Sequence, residues 1–170
     1  MPEVQVAQGL MGAWRPHPDA VAALRANTAA ATEWSTPYPF ELASALETSP
    51  DTLGALDDWQ VEWKWDGIRG QWIFRDGRIA LWSRGEELIT ERFPELTSPA
   101  LAASLVARGV ARAVLDGEVI GWRDGAPLPF QDLQARIGRK TLNARVLAAC
   151  PVRFIAYDLL EAQGDDWRER

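Results

Sequence analysis

One cysteine, Cys150, and one histidine, His17, are all that this 170-residue chain has of two of the commonest metal-ligating and nucleophilic side chains. A lone cysteine excludes an internal disulfide and any cysteine-rich zinc site. The lone histidine sits in the proline-rich "RPHPD", which leaves no Ser–His–Asp or Cys–His machine. Long apolar runs are missing as well. No stretch approaches the ~18 residues that a membrane helix needs, and the start lacks the basic-then-apolar layout of a secretory signal. A cytoplasmic protein with no membrane partner is therefore expected. The chemistry left is that of lysine, carboxylates, arginine and hard cations.

What is present suits a folded domain. The chain is 47% hydrophobic and 25% charged, enough to bury a real core. Nine tryptophans promise dense packing, provided that each buried indole N–H finds an acceptor. The net charge of −6 argues against a simple nucleic-acid sleeve. That charge is uneven: Glu41 to Asp66 carries seven acids and one base, whereas Leu133 to Tyr157 carries Arg136, Arg139, Lys140, Arg145 and Arg153 with no acid.

Residues 1–40 read as a connector, with a short helix in Ala20 to Arg25 and an extended "STPYPF", because residues before proline avoid helical backbone. From Trp59 the pattern becomes that of strands. "IRGQWIF" places Ile68, Gly70, Trp72 and Phe74 on one face and Arg69, Gln71, Ile73 and Arg75 on the other. Asp76-Gly77 predicts a two-residue hairpin turn into "RIALWS", and Asp124-Gly125 predicts another after "RAVLDGEVIGW". "PFQDLQARIG" has Phe130, Leu133 and Ile137 at helical spacing, with Pro129 in the first turn and Gly138 as a stop. A second helix is expected over about Leu142 to Ala149, and "VRFIAYDLL" reads as a buried strand. The predicted fold is α+β on an antiparallel sheet.

Four places can carry chemistry. Lys64 in "VEWKWDGIRG" stands between two tryptophans and two acids, Glu62 and Asp66. It is either a surface lysine laid over an indole or a covalent nucleophile. A lysine amine, with a reference pKa of about 10.4, is neutral in about one molecule per thousand near pH 7.4. Nearby acids deepen that deficit, so a nucleophile here requires compensating positive charge, from a divalent cation or other basic side chains. Arg84 follows a strand and precedes a glycine, where it either pairs with Glu86 or Glu87 or grips a phosphate. Asp116 and Glu118, split by Gly117, share a strand face and suit a hard cation or ribose hydroxyls. Tyr157 is either a buried strand aromatic or a flat ring for a base.

The order of these stretches adds to each one alone. "KWDGIRG" resembles the Lys-x-Asp-Gly-x-Arg signature of the covalent nucleotidyltransferases. "LWSRGEELITERFPEL", "VLDGEVIGW" and "FIAYDLLEAQGDDWRER" are similar to the segments that follow it in ATP-dependent DNA ligases, at family-like spacing over about two-thirds of the chain. "PFQDLQARIGRK" is closest in wording to the bacterial members, and "LMGAWRPHP" with "YPFELASALE" looks like their linker.

The resemblance implies an antiparallel-sheet nucleotidyltransferase (ATP-grasp-like) adenylation domain. Residues 1–40 would be the linker from an N-terminal DNA-binding domain, and 41–170 the first part of the adenylation domain. Lys64 would attack the α-phosphate of ATP and carry AMP. Glu62 would contact the adenine amino group, Arg69 the ribose or adjacent phosphate, and Arg84 the AMP phosphate. Glu118 would hold a ribose hydroxyl or a water on Mg2+ (or Mn2+), and Tyr157 would stack on adenine, where the family often has phenylalanine. Asp66 and Asp116 would stand behind these or face the nick. The tryptophans would wall the lysine's strand and exclude water. The partners implied are ATP and nicked duplex DNA, in a monomer associated with the bacterial nucleoid. The family's later Glu-Gly and Lys-x-Lys strands and its oligonucleotide-binding-fold domain do not occur in this sequence. The expectation is thus a domain incomplete at its C-terminus that self-adenylates poorly. RNA ligases and capping guanylyltransferases share the Lys-x-Asp-Gly core and are the alternatives, as is an inactive remnant that binds nucleotide or DNA.

Overall fold

Glycine-bearing turns set the architecture. In the computed structural model, which describes residues 17–25 and 34–168, β1 (Ile68–Arg75) turns at Asp76-Gly77 into β2 (Arg78–Ser83). Asp76 and Gly77 have φ of 53° and 68°, the left-handed pair that a twisted two-residue hairpin demands. Asp124-Gly125 joins β3 (Ala113–Arg123) to β4 (Ala126–Pro127) in the same way, with φ of 51° and 83°. A third such turn, Gln163-Gly164, joins β5 (Val152–Ala162) to β6 (Asp165–Asp166). Gln163 carries little turn signal, so this hairpin was not expected.

All pairings are antiparallel, in the order β2-β1-β3-β5-β6 with β4 on β3. The described helices are α1 (Pro18–Arg25), α2 (Pro94–Thr97), α3 (Pro99–Ala107), α4 (Phe130–Ile137) and α5 (Ala144–Ala149). Ser98 caps α3 by accepting from the Leu101 N–H at 3.2 Å, and Asn143 caps α5 by accepting from Val146 at 3.0 Å, each satisfying one orphan donor of its helix.

The alternation of β1 fills two separate cores. Trp72 and Phe74 pack with Leu81, Phe93 and Leu133 under the helices. Each fully buried phenylalanine there contributes roughly 2–3 kcal/mol, and the Trp72 indole donates to the Leu96 carbonyl at 2.8 Å. On the opposite face, Ile73, Ala80, Trp82, Val114 and Leu160 pack against Trp34, Tyr38 and Phe40. Residues 34–40, read from sequence as connector, thus lie on the sheet.

Two expectations need correction. Residues 59–67 form no strand, and the tryptophans do not wall off the lysine: Trp59 is 52% and Trp63 83% exposed. Their apolar alternation is that of a strand, but a strand needs an edge to pair with, and no described residue pairs with this segment. β5 is also only half buried, with alternate residues exposed towards its middle.

Candidate active site

Register across β1, β3 and β5 assembles the polar face. Arg69 stands opposite Glu118, and Gln71 opposite Asp116. The Arg69 guanidinium reaches diagonally to Asp116, its Nε donating to Oδ1 at 3.1 Å and Nη2 to Oδ2 at 3.3 Å. This two-pronged, charge-assisted pair raises the guanidinium's pKa against the opposing effect of burial.

Glu118 is buried and takes a different partner. Its Oε2 accepts the Tyr157 hydroxyl at 2.6 Å. Burial pushes the carboxyl above its ordinary pKa, against hydrogen bonds from Tyr157 and the Gly67 N–H and the charges of Arg69 and Lys64. The Tyr157 phenol is pushed up in turn, first by burial and then by its bond to Glu118.

A bulge aims Tyr157. Asp116 pairs with Asp158 and Gly117 with Ala156, so the register steps over Tyr157 on β5. The extra residue bends the strand and redirects its side chain. Glycine at 117 is required by contact rather than by a turn: a Cβ there would lie 2.3 Å from the Ile155 carbonyl oxygen. The same holds for Gly67, whose Cβ would lie 2.3 Å from the Val119 oxygen. Asp66-Gly67 is therefore a bend pressed onto β3, not a left-handed hairpin turn, and it brings the Lys64 motif against Glu118.

Arg69, Asp116 and Tyr157 line an open cleft of about 340 Å³ together with Glu62, Pro39 and Glu41. Glu62 is exposed, and one of its carboxylate oxygens accepts from Gln60 Nε2 at 2.6 Å. Lys64 is exposed and does not line the cleft, yet it lies close enough for its charge to lower the pKa of Glu118. Arg84 is exposed at the end of β2. Its backbone N–H donates to the Arg69 carbonyl at 2.9 Å, and its side chain makes no hydrogen bond or ion pair with the described residues. Asp66 is exposed too. The structure thus gathers Glu62, Arg69 and Tyr157 around one cleft with Glu118 behind them, and leaves Lys64 and Arg84 outside its lining, Lys64 near Glu118 and Arg84 joined to Arg69 through the backbone.

Sequence reading missed Pro39, Glu41, Asp158 and Arg168, which also border the cleft. Asp158 had a local signal, being next to Tyr157, whereas the others arrive through tertiary packing. The basic stretch likewise proves to be mainly structural at two positions. Arg136 is buried, donating to both Glu95 oxygens at 2.5 and 2.7 Å and to the Arg92 and Cys150 carbonyls. Arg153 lies over the Trp122 ring at 4.8 Å.

Among the described residues, no helix is long and apolar enough to cross a membrane. The model of the ATP dependent DNA ligase domain matches residues 41–169. A probable DNA ligase of Koribacter versatilis is 38% identical over 128 residues, covering 75% of this chain and 21% of its own length. A DNA ligase of Haloarcula marismortui is 40% identical over 125 residues, covering 71% of this chain and 22% of its own length. The chain therefore spans about a fifth of the length of these relatives. Among solved structures, the ligase domain of M. tuberculosis LigD aligns with a TM-score of 0.45 at 34% identity, covering 62% of this chain and 30% of that one. With the family model covering most of its length and both relatives well above the level of chance similarity, the chain belongs to the ATP-dependent DNA ligase domain family.

Proposed function

We propose that this domain takes AMP from ATP onto Lys64, the first step in sealing nicks in duplex DNA. The Lys64 amine attacks the α-phosphorus: an N–P bond forms, the bond to the β-phosphate oxygen breaks, pyrophosphate leaves and the amine gives up a proton. AMP then passes to the 5′-phosphate at a nick, and the 3′-hydroxyl displaces it.

One observation carries this reading. Arg69, Asp116 and Tyr157 on the polar sheet face share a single cleft with Glu62 from the segment before β1, and the Lys64-Trp65-Asp66-Gly67 segment is bonded to Glu118 through Gly67. Glu62 accepts from the adenine amino group, and the Tyr157 ring covers the base. Arg69, already ordered by Asp116, meets the ribose or adjacent phosphate, and Arg84, unengaged by described residues, meets the AMP phosphate. Glu118, an acceptor with lone pairs beyond those given to Tyr157 and the Gly67 N–H, meets a ribose hydroxyl or a metal-bound water.

The donor set fits Mg2+ (or Mn2+) in the way such ions are usually held, by one or two carboxylates plus water and phosphate oxygens. Glu118 is the residue that would hold it, and the penalty that burial places on its charge is what a cation relieves. When bound, the ion supplies charge neutralisation at the phosphates. The domain works as a monomer in the cytoplasm, associated with nucleoid DNA.

A second reading has support from Lys64 itself, which is exposed and outside the cleft: a domain that binds nucleotide without transferring it. Incubation with α-labelled ATP and Mg2+ separates the two. Acid-stable label lost in Lys64→Ala, and not competed by GTP, supports transfer from ATP. Nucleotide binding without label supports the second reading, and neither result would overturn both.

A further inference from the structure

The cleft has a wall at Pro39 and Glu41, where the matched family domain begins, and the polar groups that hold the chain leading to it are buried. Residues 34–40 cross the same sheet face that carries Arg69, Asp116 and Tyr157. Gln71, fully buried, grips the Tyr38 backbone with both ends of its amide: the Tyr38 N–H donates to Oε1 at 2.7 Å, and Nε2 donates to the Tyr38 carbonyl at 3.0 Å. Arg75 donates to the Thr36 carbonyl at 2.8 Å, and the Trp82 indole to that of Ser35 at 2.6 Å.

We infer that residues 34–41 are a strap that positions the nucleotide: their anchored backbone sets the outer wall of the cleft, formed by Pro39 and Glu41. This rests on the nucleotide reading above. The contacts run without a gap from strap to site. The Tyr38 backbone is fixed by Gln71, Gln71 stands opposite Asp116 in the register, and Asp116 holds Arg69. A side chain imitating a strand partner in this way fixes both the height and the angle at which the chain leaves the sheet. One residue later, Pro39 enters the cleft with its φ locked by its ring.

The strap acts on the cleft through the wall made by Pro39 and Glu41, and its anchored backbone meets Arg69 only at second hand, through Gln71 and Asp116. Its contribution should therefore be uniform binding, equal for ground and transition states, which appears in the concentration of ATP needed and not in the maximal rate. A wall that is merely part of the core would do neither.

The test is Lys64 labelling by ATP in the protein, in Gln71→Met and in Pro39→Gly. Gln71→Met keeps the length and volume of the side chain but releases the Tyr38 backbone. Pro39→Gly loosens the wall and leaves every buried anchor in place. Both should raise the ATP concentration for half-maximal labelling about five- to tenfold, with a maximal rate within about twofold of the parent. Calorimetric titration with a non-hydrolysable ATP analogue should show the same shift. A melting temperature lowered in Gln71→Met with half-saturation unchanged in Pro39→Gly would overturn the strap's role, as would a loss confined to the maximal rate. If Gln71→Met does not fold, Pro39→Gly decides alone. A parent protein that takes no label and binds no analogue overturns the nucleotide reading and the strap together, whereas a labelled parent with unmoved variants overturns the strap alone.

Discussion

Tyr157 donates its hydroxyl to Glu118 at 2.6 Å, while the Arg69 guanidinium donates to Asp116. Arg69 lies beside two acids, Asp116 and Glu118. With Glu118 satisfied by a phenol, the guanidinium gives its hydrogen bonds to Asp116, so that a fixed cation lines the cleft and a separately held anion stands behind it. Phenylalanine at 157 would keep the ring but could not bond Glu118 in this way.

Tyr157→Phe tests that division. Losing a hydrogen bond to a charged group costs about 1.5–3 kcal/mol, read as a lower urea midpoint with an unchanged slope. The freed Glu118 should then compete for Arg69, so Asp116→Asn should cost less in the Tyr157→Phe background than in the parent. Additive losses in the double variant would refute the coupling.

Glu118→Gln should stabilise the protein while impairing it. Burial penalises the carboxylate's charge in the folded state, and the neutral amide escapes that penalty while its oxygen still accepts from Tyr157. The expected result at neutral pH is a higher melting temperature with weaker nucleotide-dependent labelling, the trade that strained functional groups commonly show. A lower melting temperature would mean that the charges of Arg69 and Lys64 outweigh burial.

Much of this site was legible, and the residues show why. The alternation of Ile68 to Arg75 needs only the two-residue period of a strand, and Asp76-Gly77 only the local cost of a positive φ. Both are properties of neighbours in sequence. The strap was not legible. Trp34, Tyr38 and Phe40 fall on even positions as strand residues do, but Pro37 and Pro39 lack the N–H for a ladder, and the pairing is made instead by a glutamine side chain 33 residues away. The opposite error occurred at 59–65, where Trp59, Val61, Trp63 and Trp65 alternate but pair with no described residue. Pattern reports what a segment can bury, whereas register and bulges, such as the one that turns Tyr157 towards Glu118, are set by partners far along the chain.

Gly67→Ala should disable the site without unfolding the domain. The added methyl would lie 2.3 Å from the Val119 carbonyl oxygen and 2.8 Å from Glu118 Cγ, so the bend must lift from β3. Overpacking of this kind costs about 1–3 kcal/mol, which a core containing Phe74 and Phe93 can absorb. Lifting the bend also withdraws the Gly67 N–H from Glu118 and moves Lys64. Labelling should fall by about 10²-fold, the loss typical of an ångström-scale misplacement, while the circular dichroism spectrum stays that of the parent. Parent-level labelling in Gly67→Ala would show that contact of the bend with β3 is irrelevant to the chemistry.

Acid should release the strap before it melts the helical side of the sheet. Glu161 is buried, and although burial alone would raise its pKa, the Arg75 hydrogen bonds and charge, helped by Tyr38 and Arg112, hold it below the ordinary value. For a carboxyl depressed in the folded state, the stabilisation is complete above the unfolded pKa of about 4.3 and is lost as pH falls through the folded value. Protonation weakens the grip on Arg75, whose other donations hold the Trp34 and Thr36 carbonyls. Fluorescence of the protein should therefore change below about pH 4, as Trp82 loses its bond to Ser35, at a pH where circular dichroism still reports helix. Replacing Arg75 by methionine should bring the same release at neutral pH at a cost of about 1.5–3 kcal/mol, because it removes the closest partner of a buried carboxylate and leaves only Arg112 and Tyr38. Pairing it with Glu161→Leu should recover much of that loss. Coincident fluorescence and circular dichroism transitions in acid would refute a strap held by this pair.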